Sequence, residues 1–288
     1  YNFGFIASTD DHTARPGTGY KQYERRKMTF ATGVKSKMWE YKYEAEDPNF
    51  PEIPKITPGE SQPDSERVSS FVYPGGILAV HSSGRGKDAI WTALKNKNVY
   101  GTSGPRILLW FDLINSPQGK LPMGSEITMS QNPRFIVRAA GSFKQNPGCS
   151  KESIDSLSPK RLDYLCAGEC YNPTNEREII EKMEIIKITP QIYAGEAVSP
   201  LIQDPWRTIP CQGKGECIIE FEDQNFTRDS IYYVRAIQEP TPGINGSLLS
   251  ERENFSLCRG SFRTDLQDDC LSMTNERAWS SPIYVNKP

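Results

Sequence analysis

No apolar run in this 288-residue chain approaches the roughly 20 residues a membrane-spanning helix needs, so no membrane span is expected. A surplus of one charge is also missing. With 34 basic and 36 acidic residues the formal net charge is -2, and nothing in that balance draws the chain to nucleic acid. Histidine is nearly absent, limited to His12 and His81, and both stand far upstream of every cysteine. Cysteine is missing from the first half altogether. Long helical periodicity is scarce, and glycine and proline, at 22 each, break the apolar stretches into short pieces that favour strands and loops over helices. What remains, 36% hydrophobic and 24% charged, is an ordinary globular composition, with enough apolar residues for one large or two medium domains.

The seven cysteines, Cys149, Cys166, Cys170, Cys211, Cys217, Cys258 and Cys270, lie mostly beside Gly, Pro, Asn and acidic residues. That is how disulfide-closed loops read, and disulfides persist in oxidising compartments, so a periplasmic or secreted location is expected. Cys211 with Cys217 and Cys258 with Cys270 are the expected pairs; the rest of the connectivity is open, and the odd total of seven leaves one cysteine unpaired. Zinc is the rival reading, because Cys166-Ala-Gly-Glu-Cys170 has plausible ligand spacing, although no histidine lies near to complete four ligands. A redox role for the same pair is minor, since three residues separate them where dithiol oxidoreductases have two.

Residues 2–8 (NFGFIAS) form a short apolar run that leads into Thr9-Asp10-Asp11-His12, the pattern of a buried strand delivering polar groups at its end. Because the chain starts inside that pattern, its N-terminus is expected to be cut. Residues 15–72 are polar and read as a long irregular excursion. A second apolar strand, Gly75 to Val80, runs into His81-Ser82-Ser83-Gly84-Arg85. A helix follows over 88–97, with Ile90, Trp91 and Leu94 on one face, Asp88 in its first turn and Lys95 and Lys97 in its last. Strand, polar loop, helix makes one α/β repeat. After Gly104 the period changes: strand-like segments at 107–114, 134–140, 183–188, 217–222, 231–238 and 282–286, with one helical candidate at 152–164, predict a separate β-sandwich.

Asp10 and His12, two residues apart, project to the same side of an extended chain and can share an ion. A carboxylate with an imidazole suits a divalent metal that lowers the pKa of bound water and polarises a phosphoryl or carbonyl oxygen. The bland alternative is a solvated turn. His81 with Arg85 reads either as a hydrogen-bonded loop histidine beside a free arginine or as a contact for an anionic substrate group. Arg15 reads either as a solvent arginine or as a residue facing the same site. Thr102-Ser103-Gly104 reads as a domain-joining turn in preference to a phosphate cradle. Trp279 is expected to be buried in the sandwich, with Arg277 supporting the last strand. The glycosylation sequons at Asn225, Asn245 and Asn254 matter only in a secreted eukaryotic protein.

Phe3-Gly4-Phe5-Ile6-Ala7-Ser8-Thr9-Asp10-Asp11-His12 resembles the closing motif of PHP-type phosphoesterases. The segment from Gly75 to Ile107, together with Tyr232-Tyr233-Val234-Arg235, Glu239-Pro240-Thr241-Pro242 and Glu276-Arg277-Ala278-Trp279-Ser280-Ser281-Pro282-Ile283-Tyr284, resembles a PHP-related family called domain of unknown function 3604. The resemblance implies an α/β plus β fold: the C-terminal part of a distorted (β/α) barrel over 1–104, its first half preceding Tyr1, then a β-sandwich-like domain over 105–288. It implies a metal-dependent hydrolase of phosphoester-like bonds, with Asp10 and His12 as ligands of a divalent ion (Zn, Mn or Fe) in a site that this chain leaves incomplete, and with Asp11 at a variable position. The alternative is a non-catalytic binding or structural protein whose β-domain is a recognition module.

Overall fold

The computed structural model describes residues 2–8, 76–166, 171–244 and 271–288. The excursion over 15–72 lies outside them. The described chain is mostly strand. Its order is β1 (Ile77–Val80), α1 (Lys87–Lys95), β2 (Val99–Thr102), β3 (Leu108–Ser116), β4 (Gly119–Pro122), β5 (Glu126–Thr128), β6 (Arg134–Ala140), β7 (Phe143–Pro147), α2 (Lys151–Ser156), α3 (Pro159–Cys166), β8 (Tyr171–Arg177), β9 (Ile180–Ile188), β10 (Ile202–Pro210), β11 (Glu216–Glu222), β12 (Ser230–Ile244), β13 (Leu271–Ser280) and β14 (Ile283–Asn286).

Two sheets pack face to face. The larger is organised by β12, which carries β9 and then β10 along one edge, and β13 and β14 end to end along the other. Beyond β13 come β2 and β1, and beside β14 runs β5, the one parallel neighbour among these pairings. The smaller sheet is antiparallel in the order β11, β6, β3, β4. Alternation decides which side chains meet. Leu109, Phe111 and Leu113 of β3 and Phe135, Val137 and Ala139 of β6 face Met183, Ile185, Tyr232, Val234 and Ala236 of the larger sheet, all with 0% exposure. Strands β7 and β8 form a separate two-stranded ribbon.

The expected (β/α) barrel is not what these residues build. Strands β1 and β2 pair antiparallel, with Ile77 opposite Thr102 and Val80 opposite Val99, whereas a barrel repeat requires parallel strands joined by a crossover. The His81 N–H donates to the Asn98 carbonyl at 2.9 Å, so the ladder continues past β1 and α1 sits inside the loop of a long hairpin. Lys97, at φ 59°, turns the chain back directly after the helix. Strand β2 then pairs with β13, which puts strands on both sides of Gly104 in one sheet. Residues 2–8 are not a buried strand either, because Phe3 and Ile6 are 54% and 70% exposed and the segment joins no ladder.

The single helix expected over 152–164 is two. Pro159 restricts the residue before it and ends α2, and the Ser158 hydroxyl then accepts the Arg161 N–H at 3.2 Å to start α3. Ser150 caps α2 in the same way by accepting from Ser153 N.

The expected Cys211–Cys217 disulfide is present, and Cys149 is also disulfide-bonded. Cys170, Cys258 and Cys270 lie outside the described residues, and Cys166 is described by its backbone alone. The Cys211–Cys217 loop supports its neighbours: Ile180 N donates to Lys214 O at 3.1 Å and Gly141 N to Gly215 O at 2.8 Å. Chain-entropy reasoning for so short a loop gives about 2 kcal/mol. The Cys211→Ser/Cys217→Ser variant should lose about that much in a urea titration.

Candidate functional site

Residues 2–8, which precede Asp10 and His12 in the sequence, are anchored to the larger sheet. Phe3 N donates to the Tyr284 hydroxyl at 2.9 Å, and Phe5 N donates to Ser281 Oγ at 3.0 Å. The Phe5 ring meets Tyr233 edge-on at 5.1 Å, on the face of the larger sheet turned away from the core. Further along, Ala7 crosses so close that a Cβ at Gly76 or Gly101 would stand 2.6 or 2.9 Å from its own Cβ, so neither glycine can be replaced without a shift. Gly76 N donates to the Ser8 carbonyl at 3.2 Å, at the start of β1. Asp10, His12 and Arg15 themselves lie outside the described residues.

His81 stands at the other end of β1. Its Nε2 is 2.8 Å from the Leu109 carbonyl, and its ring lies 5.3 Å from Tyr100 and 5.8 Å from Trp110. A carbonyl can only accept, so Nε2 carries the proton and this nitrogen is committed to the core. His81 thus makes a loop hydrogen bond through Nε2, and Arg85 lies exposed four residues further on, in the bend before α1. Trp279 corrects another expectation. It is half-buried and lies opposite Arg235 and Gly101 on the outward face, while its neighbours Ala278 and Ser280, at 0% exposure, point into the core.

A polar corner that the sequence did not flag lies where β2 ends. Ser103 N donates to Arg277 O at 2.9 Å, Arg277 N donates to Ser103 Oγ at 2.8 Å, and the Ser103 hydroxyl donates to Glu276 Oε2. The Thr102-Ser103-Gly104 segment is thus a joint onto β13. Glu276 is 2% exposed, with the Ser103 and Thr241 hydroxyls acting on its carboxyl. Beside it on β12 a bulge breaks the register between Ile237 and Pro240. There Gln238, 0% exposed, accepts from Ser142 N at 2.9 Å and from Ser142 Oγ at 3.0 Å, leaving its Nε2 unpaired. Close by, burial raises the Glu178 carboxyl, and the hydrogen bond and charge of Glu239 raise it further. Glu239 also accepts from Ile179 N at 2.7 Å. Bulges and raised carboxyls cluster at functional sites.

Burial pushes the Glu276 carboxyl above its ordinary range, against the opposing pull of the Ser103 and Thr241 hydroxyls and Arg277. The folded state therefore holds this proton more tightly than the unfolded chain. Its contribution to stability is fully present below the ordinary value of 4.5 and is lost as pH rises through the folded value. The difference in unfolding free energy between the wild type and Glu276→Gln should fall with rising pH across that window. A flat difference would contradict the assignment.

Sequence reasoning missed the burial of Glu276 and of Gln238 because burial is not local information. The available signal was the alternation of β13, which sends Glu276 inward with Ala278 and Ser280.

Among the described residues no helix is long and apolar enough to cross a membrane, and no three His, Cys, Asp or Glu side chains are gathered as a metal-ligand group. No curated protein and no solved structure matches the chain. Residues 1–147, ending at the last residue of β7, match the model of the family described as "Protein of unknown function (DUF3604)". That match spans just over half the sequence and takes in the Asp10–His12 motif, β1, α1 and β2, so the chain belongs to the DUF3604 family.

Proposed function

We propose that the protein is a metal-dependent hydrolase of phosphoester-like bonds, with Asp10 and His12 as ligands of a divalent ion (Zn, Mn or Fe). The reading rests on the Asp-x-His motif, two and four residues beyond Ser8, and on the way the preceding segment is held: by two hydroxyls, by an aromatic contact and by Gly76. A motif reached from so firmly anchored a backbone suits chemistry that needs fixed geometry. The ion would supply a nucleophilic hydroxide near neutral pH and polarise the phosphoryl oxygen. His81 is held through its Nε2 bond to Leu109 O and is not part of the proposed ligand set. The resemblance to PHP-type enzymes supports the chemistry alone, independently of any barrel. The Cys211–Cys217 disulfide supports a periplasmic or secreted location.

The test is hydrolysis of p-nitrophenyl phosphate and bis(p-nitrophenyl) phosphate with added Zn, Mn or Fe. Asp10→Ala and His12→Ala should each lower turnover at least about tenfold, as loss of a metal ligand does, while Asp11→Ala should leave it near the wild-type rate. No turnover in any of the four proteins would favour a binding or structural role, and equal turnover in all four would remove Asp10 and His12 from the site.

A further inference from the structure

We infer that Glu178 and Glu239 form a proton-sharing latch that seats the β7–β8 ribbon on the larger sheet, and that the latch opens as pH rises. The ribbon leaves the sandwich at Gly141 and Ser142 and returns at Glu178 and Ile179. Glu178 N closes its base by donating to Ser142 O at 2.8 Å.

Two holds fix that base. The Cys211–Cys217 loop supplies consecutive carbonyls, Lys214 O to Ile180 N at 3.1 Å and Gly215 O to Gly141 N at 2.8 Å. The second hold comes from the irregular stretch of β12. There Gln238 Oε1 accepts from Ser142, and Glu239 brackets Ile179, taking its N–H on Oε1 at 2.7 Å and giving its own N–H to the Ile179 carbonyl at 2.8 Å. The disulfide loop holds through backbone alone, whereas the β12 hold includes two carboxyls.

Because Glu239 Oε1 is fixed on Ile179 N, its carboxyl stands beside Glu178, and the two side chains hydrogen-bond to each other. Two carboxylates have no proton to offer, so one of the pair must carry it. Glu239 already accepts a backbone N–H, which favours its ionised form, so Glu178 is the donor. Burial raises the Glu178 carboxyl first and Glu239 raises it further, while Lys144 of β7 pulls the other way. Other charges at the joint are engaged: Arg177 donates to Gly141 O at 2.6 Å and covers the Phe143 ring at 4.0 Å, Glu176 pairs with Lys144 at 3.9 Å, Glu181 accepts from Asn275 at 3.0 Å, and Glu276 is held by Ser103.

The folded state thus holds the Glu178 proton more tightly than the unfolded chain. The latch contributes fully below the ordinary value of 4.5 and is lost as pH rises through the folded value. Beyond that point two like charges share one joint. The ribbon is the part that yields, since it is a two-stranded unit outside both sheets, while β9 and β12 are paired within the larger one.

Hydrogen–deuterium exchange of the protein tests this, with rates corrected for the intrinsic pH dependence of amide exchange. Between about pH 4.5 and about pH 8, protection of β7 and of Glu178 and Ile179 should fall at least about tenfold, the equivalent of one pKa unit, while β3 and β6 keep theirs. Glu178→Gln replaces the shared proton by a permanent amide donor, so its ribbon should stay protected across the range. Glu178→Ala, with no donor, should match the wild type at high pH throughout. Equal protection of the wild-type ribbon at both ends of the range, or the same fall in Glu178→Gln, would overturn the inference.

Discussion

Replacing Asp223 by Ala should destabilise the protein by about 3–5 kcal/mol, the usual cost of stripping one partner from a buried ion pair. Asp223 is 0% exposed and carries three bonds. Lys187 Nζ reaches its Oδ2 at 2.5 Å, the Tyr232 hydroxyl donates to the same oxygen at 2.5 Å, and Asn225 N donates to Oδ1 at 3.1 Å. The alanine variant would leave the Lys187 ammonium, in a residue only 9% exposed, facing the rings of Trp206 at 5.4 Å and Tyr232 at 5.9 Å without a counter-charge. It would also strand the Tyr232 hydroxyl, whose proton is held by burial first and by Asp223 second. Lys187→Met should be costly for the mirror-image reason. The double variant should cost clearly less than the sum of the two, because it leaves no uncompensated charge. Urea unfolding of the four proteins measures this, and simple additivity would contradict the account.

Phe135→Ala is the second large effect, again about 3–5 kcal/mol. Phe135 is 0% exposed on β6, and its ring centroid lies 5.3 Å from Phe111, 4.9 Å from Phe221 and 4.8 Å from Tyr232. It is the point where the smaller sheet meets the larger one, so truncation opens a cavity that rigid strands on both sides cannot close. Phe135→Leu, which keeps most of the volume, should cost under about 1.5 kcal/mol. Ile218→Ala is the control: at 61% exposure on β11 it should change stability by no more than about 0.5 kcal/mol. Midpoints should move with unchanged urea dependence. A small effect at Phe135 would mean that the two sheets do not pack as described.

Both residues show what the sequence could and could not disclose. The alternation at 107–114 and 134–140 is enough to predict β3 and β6 and to place Phe111 and Phe135 on one side. The 217–222 and 231–238 segments are likewise strands. Local pattern carries no direction, however. An apolar strand, a helix and a second apolar strand read the same whether the second runs parallel or doubles back, and here the turn at Lys97 sends β2 back along β1. The barrel expectation failed on that one sign. Lys187 and Asp223 are 36 positions apart and each looks like an ordinary charge in or beside a strand, so no spacing rule joins them. Glu276 lies in one motif string and Gln238 borders another, and nothing local shows that either faces inward. The Cys211–Cys217 pair was legible because only six positions separate its members and the loop between them, Gln-Gly-Lys-Gly-Glu, is polar and rich in glycine.

Metal content tests the central claim most directly, since the proposed chemistry depends on Asp10 and His12 holding an ion. The full-length protein and its Asp10→Ala, His12→Ala and Asp11→Ala variants should be purified in parallel, equilibrated with Zn, Mn or Fe, desalted and analysed by inductively coupled plasma mass spectrometry. The account predicts bound metal in the wild type and in Asp11→Ala, with loss of most of it in Asp10→Ala and His12→Ala at unchanged unfolding midpoints. The same metal content in all four proteins would contradict it.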